Sequence, residues 1–227
     1  MLAAQAGTAR AVVFLANQSA PLLAPHAPQL LQALSGALRD TSATVARLMS
    51  GATAQVARLC PPATVEKLVA HLTNLYLNPD TDGGRGSRGG ESAPRPWLTN
   101  AAFSVSPGRT RDADATRATV RATCLDIVRH APAVANAIGG TLVPLAVLGA
   151  HEATDEAAAQ WRQALDELAH GRERSVRTHL AATLALLQTA LASPSWALRK
   201  QAALGLATVA NLAGACARDG QLAAWRR

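Results

Sequence analysis

Apolar residues recur every three or four positions through most of the chain, the spacing of one helix face. Val45, Leu48, Ala52, Val56 and Leu59 form one such stripe. Val65, Leu68, Leu72 and Leu75 form a second, and Trp161, Leu165 and Leu168 a third. The longest is Val176, Leu180, Leu184, Leu187 and Leu191, which predicts one helix with all five side chains buried together. Taken along the chain, the pattern predicts helices over 8–18, 28–38, 42–59, 63–77, 112–130, 133–149, 155–169, 174–192 and 195–213. Start and stop signals agree with these limits. Thr154 can cap a helix with Asp155 and Glu156 in its first turn, and Ser193 can cap one with Pro194 at its first position. Gly171 after His170 reads as a stop, and Pro61, Pro62 and Pro132 separate neighbours. Connections this short predict antiparallel packing of consecutive helices.

One stretch breaks the pattern. Residues 78–110 hold Pro79, Gly83, Gly84, Gly86, Gly89, Gly90, Pro94, Pro96, Pro107 and Gly108, with neither helical nor strand periodicity. They are expected to form a disordered Gly/Pro/Arg-rich insertion between two helical segments, 1–77 and 111–227.

Composition sharpens the fold class. Of 227 residues, 52 are Ala and 31 are Leu, and aromatics make up 3 %. Ala and Leu favour helix, and a large sheet would need β-branched and aromatic residues that are scarce here. No apolar run is long enough for a membrane span. The formal charge is +7, carried by 20 Arg and only 2 Lys. GC-rich coding raises Arg and Ala together, so this charge is no argument for nucleic acid. Cys60, Cys124 and Cys216 lie far apart, an odd set without metal-ligand spacing, and read as buried thiols in a reducing compartment. No acidic residue precedes Asp40, a feature shared with organelle transit peptides, and the sequence leaves that alternative open.

A repeat emerges when the helices are paired. An apolar residue is followed by Arg at Val45-Ala46-Arg47 (with one residue between), Val120-Arg121, Trp161-Arg162 and Leu198-Arg199. The spacings are 41 residues from 120 to 161 and 37 from 161 to 198. From 45 to 120 is 75, one such period plus about the length of the insertion. A period near 40 built from two helices is the signature of HEAT and armadillo repeats. Val176-Arg177 matches the dyad off the period, so the spacing and not the dyad carries the reading. The predicted fold is an all-α solenoid of about four HEAT-like helix pairs with one disordered insertion. Stacked pairs bury a shared core that a single pair cannot bury alone.

Four segments carry a more specific likeness. They are Arg39-Asp40-Thr41-Ser42-Ala43-Thr44-Val45, Cys60-Pro61-Pro62-Ala63-Thr64-Val65-Glu66-Lys67-Leu68, Glu173-Arg174-Ser175-Val176 and Ala192-Ser193-Pro194-Ser195-Trp196-Ala197-Leu198-Arg199-Lys200-Gln201-Ala202. In this order they resemble stretches of the large proteasome adapter and scaffold family, which is built of HEAT repeats. The likeness covers most of the chain outside the Gly/Arg-rich insertion, which departs from the family, as does the residue between Val45 and Arg47. The resemblance implies a non-enzymatic scaffold that tethers the core and regulatory particles of the proteasome. It implies proteasome subunits as partners and the cytoplasm and nucleus as location. The runner-up is a HEAT-repeat interaction module for another partner, such as a trafficking or transport adapter.

Candidate chemistry is sparse. Gly84, Gly86 and Gly89 match the dinucleotide fingerprint in spacing, but the required strand before and helix after are missing. The six histidines show no paired-ligand spacing, and no nucleophile elbow occurs. No catalytic residue, cofactor or metal site is predicted. The candidate partner-binding residues are Arg85, Arg88, Arg95 and Trp97, basic groups around one aromatic in the insertion, suited to an acidic protein surface. Nucleic acid is not expected, since RGG-type segments recur and interleave with aromatics. Trp161 and Trp196 are expected to pack between repeats. Apolar positions at both ends (Val12, Val13, Phe14 and Leu15, then Leu204, Leu206, Val209 and Leu212) carry no charged cap, which predicts an interior piece of a longer scaffold that self-associates in isolation.

Overall fold

The computed structural model describes residues 2–38, 40, 42–79, 113–168 and 171–225. All their regular elements are helices, as HEAT-like helical repeats require, and no strand occurs among them. In chain order these are α1 Leu2–Gln18, α2 Ala20–Leu23, a 3-10 turn Ala24–His26, α3 Ala27–Ala37, α4 Ala43–Ala57, α5 Pro62–Leu77, α6 Ala113–His130, α7 Pro132–Ala137, α8 Gly139–Gly149, α9 Asp155–Glu167, α10 Gly171–Thr178, α11 Leu180–Leu191 and α12 Trp196–Trp225. The chain divides into two compact units, Met1–Val134 and Ala135–Arg227.

In the first unit α4 is the centre, packed on α1, α3 and α6, and α5 packs on α6 and α3. Helix pairs α3–α4 and α5–α6 thus stack, α4 against α6. The predicted stripe of α5 holds: Val65, Leu68, Leu72 and Leu75 are all buried. The turn into α4 is built by two side chains. Asp40 Oδ1 accepts from the Ser42 backbone N–H at 2.8 Å, and Ser42 then caps α4 at the Val45 N–H. Gln5 Nε2 donates to the other Asp40 oxygen at 3.1 Å, tying this turn to α1. Arg58 reaches the Ala16 carbonyl at 3.0 Å and so satisfies an acceptor left open at the end of α1. Residues 80–112, which include most of the predicted insertion, lie outside the described residues. Its two flanks are joined: Arg117 on α6 donates from Nε to the Tyr76 carbonyl at 3.4 Å, and its guanidinium lies 5.7 Å from the centre of the buried Tyr76 ring.

In the second unit α8 is the centre, with α9, α10, α11 and α12 packed on it. Every residue of α8 from Leu142 to Gly149 is buried, so this helix is apolar all round, as a fully enclosed helix must be. Gly149 lets the indole of Trp161 come in close: a Cβ there would stand 2.3 Å from Nε1. The fully buried Trp161 donates that N–H to Glu152 Oε1 at 2.7 Å. Gly139 receives the His179 ring in the same way, 2.5 Å from the place of a Cβ.

Several boundaries depart from the sequence reading: α1 starts at Leu2 and not at 8, and α12 runs to Trp225 and not to 213. The predicted 133–149 helix breaks at Ile138, where φ is −100° and ψ is 18°. The 174–192 helix breaks at His179, with φ −110° and ψ 27°. That break rotates the face that follows. Val176 and Leu187 are buried with Thr183 and Ala190, but Leu180 and Leu184 are only half-buried and Leu191 is 37 % exposed, so the five-residue stripe does not bury as a whole. Ser193 does not cap α12. Its hydroxyl accepts from the Ser195 N–H at 3.2 Å, and the helix starts at Trp196 with Ser195 accepting the first backbone bond. Gly171, read as a stop after His170, instead opens α10, with φ +68° in the left-handed region that suits glycine.

Candidate partner-binding surface

The repeat dyads show what a helix-packed scaffold does with its side chains. Val45, Val120, Trp161 and Leu198 are all buried. Two of the arginines that follow them bind turn carbonyls: Arg162 Nη1 donates to Ala150 at 3.4 Å, and Arg199 Nη1 to Ser193 and Pro194 at 2.9 and 2.8 Å. These arginines fasten the loops that join helices. The predicted binding residues Arg85, Arg88, Arg95 and Trp97 fall outside the described residues.

Exposed apolar side chains offer a surface that the sequence flagged in part. In the first unit Phe14 is 63 % and Leu22 78 % exposed, with Leu15 nearby in sequence also exposed. In the second, Trp196 is 71 % exposed, against the expectation that it packs between repeats. It stands at the first position of α12, before the helix turns inward at Leu198, and Arg199 covers it 5.5 Å from the ring centre. Tryptophan is among the residue types most enriched at the energetic centres of protein contacts. A groove of about 500 Å³ runs between α3 and α5, floored by the buried Leu31 and Leu68 and edged by Gln32, Ser35, Thr64 and Lys67. Sequence periodicity marks Leu68 on its floor and says nothing of its rim, which depends on how two helices sit side by side.

Burial sets the protonation of the two described cysteines. Burial pushes the Cys124 thiol up to about 12 and the Cys60 thiol up to about 11, so neither is a thiolate at neutral pH. His151 is half-buried, with Nε2 3.1 Å from Thr208 Oγ1. Burial first, and then the charge of Arg162, hold it below the ordinary histidine range. The buried carboxylate of Asp126 takes a hydrogen bond from Ser50 Oγ at 3.0 Å, joining α6 to α4. Among the described residues no group of three His, Cys, Asp or Glu is placed to hold a metal, and no helix is long and apolar enough to cross a membrane.

Comparison with known proteins supplies what these surfaces do not. The family model of the HEAT-repeat domain of proteasome adapter and scaffold protein ECM29 matches residues 1–77, which is α1 to α5. The human proteasome adapter and scaffold protein ECM29 is 24 % identical over 216 residues. That alignment takes in 92 % of this chain, both units included. The chain is similar to the ECM29 proteasome adapter and scaffold proteins. It spans 10 % of the length of the human ECM29 protein. No solved structure matches it. The HEAT-repeat match takes in α3, α4 and α5, where the helices stack as such repeats do.

Proposed function

We propose that this chain is a non-enzymatic scaffold or adapter segment that binds proteasome subunits and helps tether the core and regulatory particles, supporting their assembly and stability. The observation that carries the reading is the alignment with an adapter and scaffold protein over 92 % of the chain. The build of the molecule supports it. Its polar side chains are spent on helix caps, turn carbonyls and helix-to-helix links, while exposed apolar groups and a groove remain for contacts between proteins. The insertion residues Arg85, Arg88, Arg95 and Trp97 are proposed to add an electrostatic contact with an acidic surface. Cytoplasm and nucleus are the proposed locations. In isolation the chain is proposed to self-associate through apolar side chains such as Phe14, Leu15 and Leu22.

Affinity-tagged chain, passed through extract from its own cells and sedimented on a gradient, is expected to move with proteasome subunits. Recovery of other complexes without proteasome subunits overturns the assignment and leaves the fold standing. Replacing Arg85, Arg88 and Arg95 with Ser is expected to reduce both recovery and its sensitivity to salt. Sedimentation of the purified chain at tens of micromolar tests self-association, and a stable monomer contradicts it.

A further inference from the structure

The unit of residues 135–227 contains a cavity of about 120 Å³ whose wall combines two chemistries. Val147, Leu165, Val176 and Val209 supply hydrocarbon, and Arg162 and Arg172 supply cations. A guanidinium has five N–H donors. Ala150 takes one from Arg162 in a long 3.4 Å contact. Arg172 forks onto Asp166 at 3.1 and 2.7 Å, in an ion pair with 38 % of the arginine side chain exposed. Such a pair is weak enough to be shared with a second anion. His151, also on the wall, is held neutral by its surroundings, so the two arginines and Asp166 leave a balance of one positive charge.

This combination selects among ligands. A purely apolar guest would strip water from Arg162 without replacing its hydrogen bonds. A bare inorganic anion would leave the valine and leucine wall facing water. A guest with a branched hydrocarbon at one end and a carboxylate at the other satisfies both, because carboxylate and guanidinium match as a two-bond fork. Apolar cavities of about 150 Å³ admit a benzene ring, so this slightly smaller one suits a branched group of four or five carbons. We propose that this cavity is a binding site for an aliphatic carboxylate, with the hydrocarbon among Val147, Val176 and Val209 and the carboxylate on Arg162 and Arg172. Two sources carry that chemistry: the C-terminus of a protein ending in an aliphatic residue, and a free short branched acid.

Methyl NMR of the 227-residue chain tests the site. The probes are isovalerate, isovaleramide, and a tetrapeptide ending in leucine with its C-terminus free or amidated. Saturable shifts at Val147, Val176 and Val209 are expected with at least one carboxylate probe, and at least tenfold weaker binding of the matching amide. Binding of the free-terminus peptide but not isovalerate assigns a chain terminus, and the reverse assigns a free acid. Arg162→Gln is expected to weaken the carboxylate at least tenfold and leave the amide unchanged, with the helical circular dichroism retained. Should that variant unfold, Arg172→Gln gives the same comparison with the Ala150 contact intact. Equal binding of acid and amide, or no saturable shift with any probe, overturns the proposal. Neither result bears on proteasome binding, which rests on the alignment.

Discussion

Helix α4, at the centre of residues 1–134, meets its neighbours through small and hydroxyl-bearing side chains: Ala46, Ser50, Ala52, Thr53, Ala54 and Ala57 are all buried. Helix α8, at the centre of residues 135–227, buries leucine, valine and proline on every side and opens glycines where other helices press in. In the first unit, close approach comes from many small residues along one helix, and a polar link fixes the register: Ser50 on α4 to Asp126 on α6. In the second, it comes from notches, the closest being Gly149 under Trp161 and Gly139 under His179, with Gly205 under Leu187 a looser third. Both satisfy the same need, since stacked repeats share a core only if their helices come within contact distance. They should fail differently, the second unit at single points and the first in small steps.

The largest effect is expected at the Trp161 notch. Trp161→Ala empties the biggest buried side chain of the unit and should cost about 3–5 kcal/mol in denaturant unfolding. Gly149→Ala puts a methyl group into the indole and should cost about 1–3 kcal/mol, with loss of the Trp161–Glu152 bond visible as a shift of the indole N–H resonance. A neutral Gly149→Ala would remove the notch as an explanation of packing.

Next in size is the face of α11. Leu187→Ala should cost about 2–5 kcal/mol, because that side chain is fully buried. Leu184→Ala should cost clearly less, because Leu184 is half-buried once His179 breaks the helix. Equal losses from the two would restore one continuous stripe through residues 176–191.

In the first unit, Ser50→Ala should cost about 1–3 kcal/mol by leaving the buried Asp126 carboxylate short of a donor. Pairing it with Asp126→Leu should recover part of the loss, and a double-mutant cycle measures the coupling. Additive losses would show that the link is incidental to the α4–α6 contact.

The smallest effect expected is the pH response of the second unit. His151 has a folded pKa below its ordinary value, so the unfolded chain takes up a proton first as pH falls. Stability from this group is therefore complete above about pH 6.5 and declines as pH drops from there through the folded pKa. His151→Gln should flatten that part of the curve in urea midpoints measured from pH 7.5 to 5. An unchanged curve would place the response on other histidines.

The helices themselves were legible in the sequence because each rests on local rules. The stripe Val65, Leu68, Leu72 and Leu75 buries as its spacing requires, and Pro62 starts α5 because a helix's first turn needs no N–H there. The repeat was legible too, since a spacing near 40 survives where individual residues vary. The exposed apolar surface was legible only in fragments. Phe14 and Leu15 could be named from their lack of charged neighbours, whereas the outward turn of Trp196 could not, because helical spacing fixes the angle between residues but not which face meets a neighbour.

Sequence alone settled the helical class, the pairing of helices into HEAT-like repeats and the family likeness, since these follow from period, propensity and short matching segments. Tertiary structure decided where long helices break. Nothing in the run Val176 to Leu191 marks His179 as a joint; the joint lies where its ring meets Gly139, 40 residues earlier in the chain. It also decided which arginines hold turns and which line a cavity, for Arg162 does both only because Ala150, Val176 and Val209 arrive beside it from three other segments. Local rules act over a few residues, whereas a notch, a groove or a cavity needs surfaces brought together from distant parts of the chain.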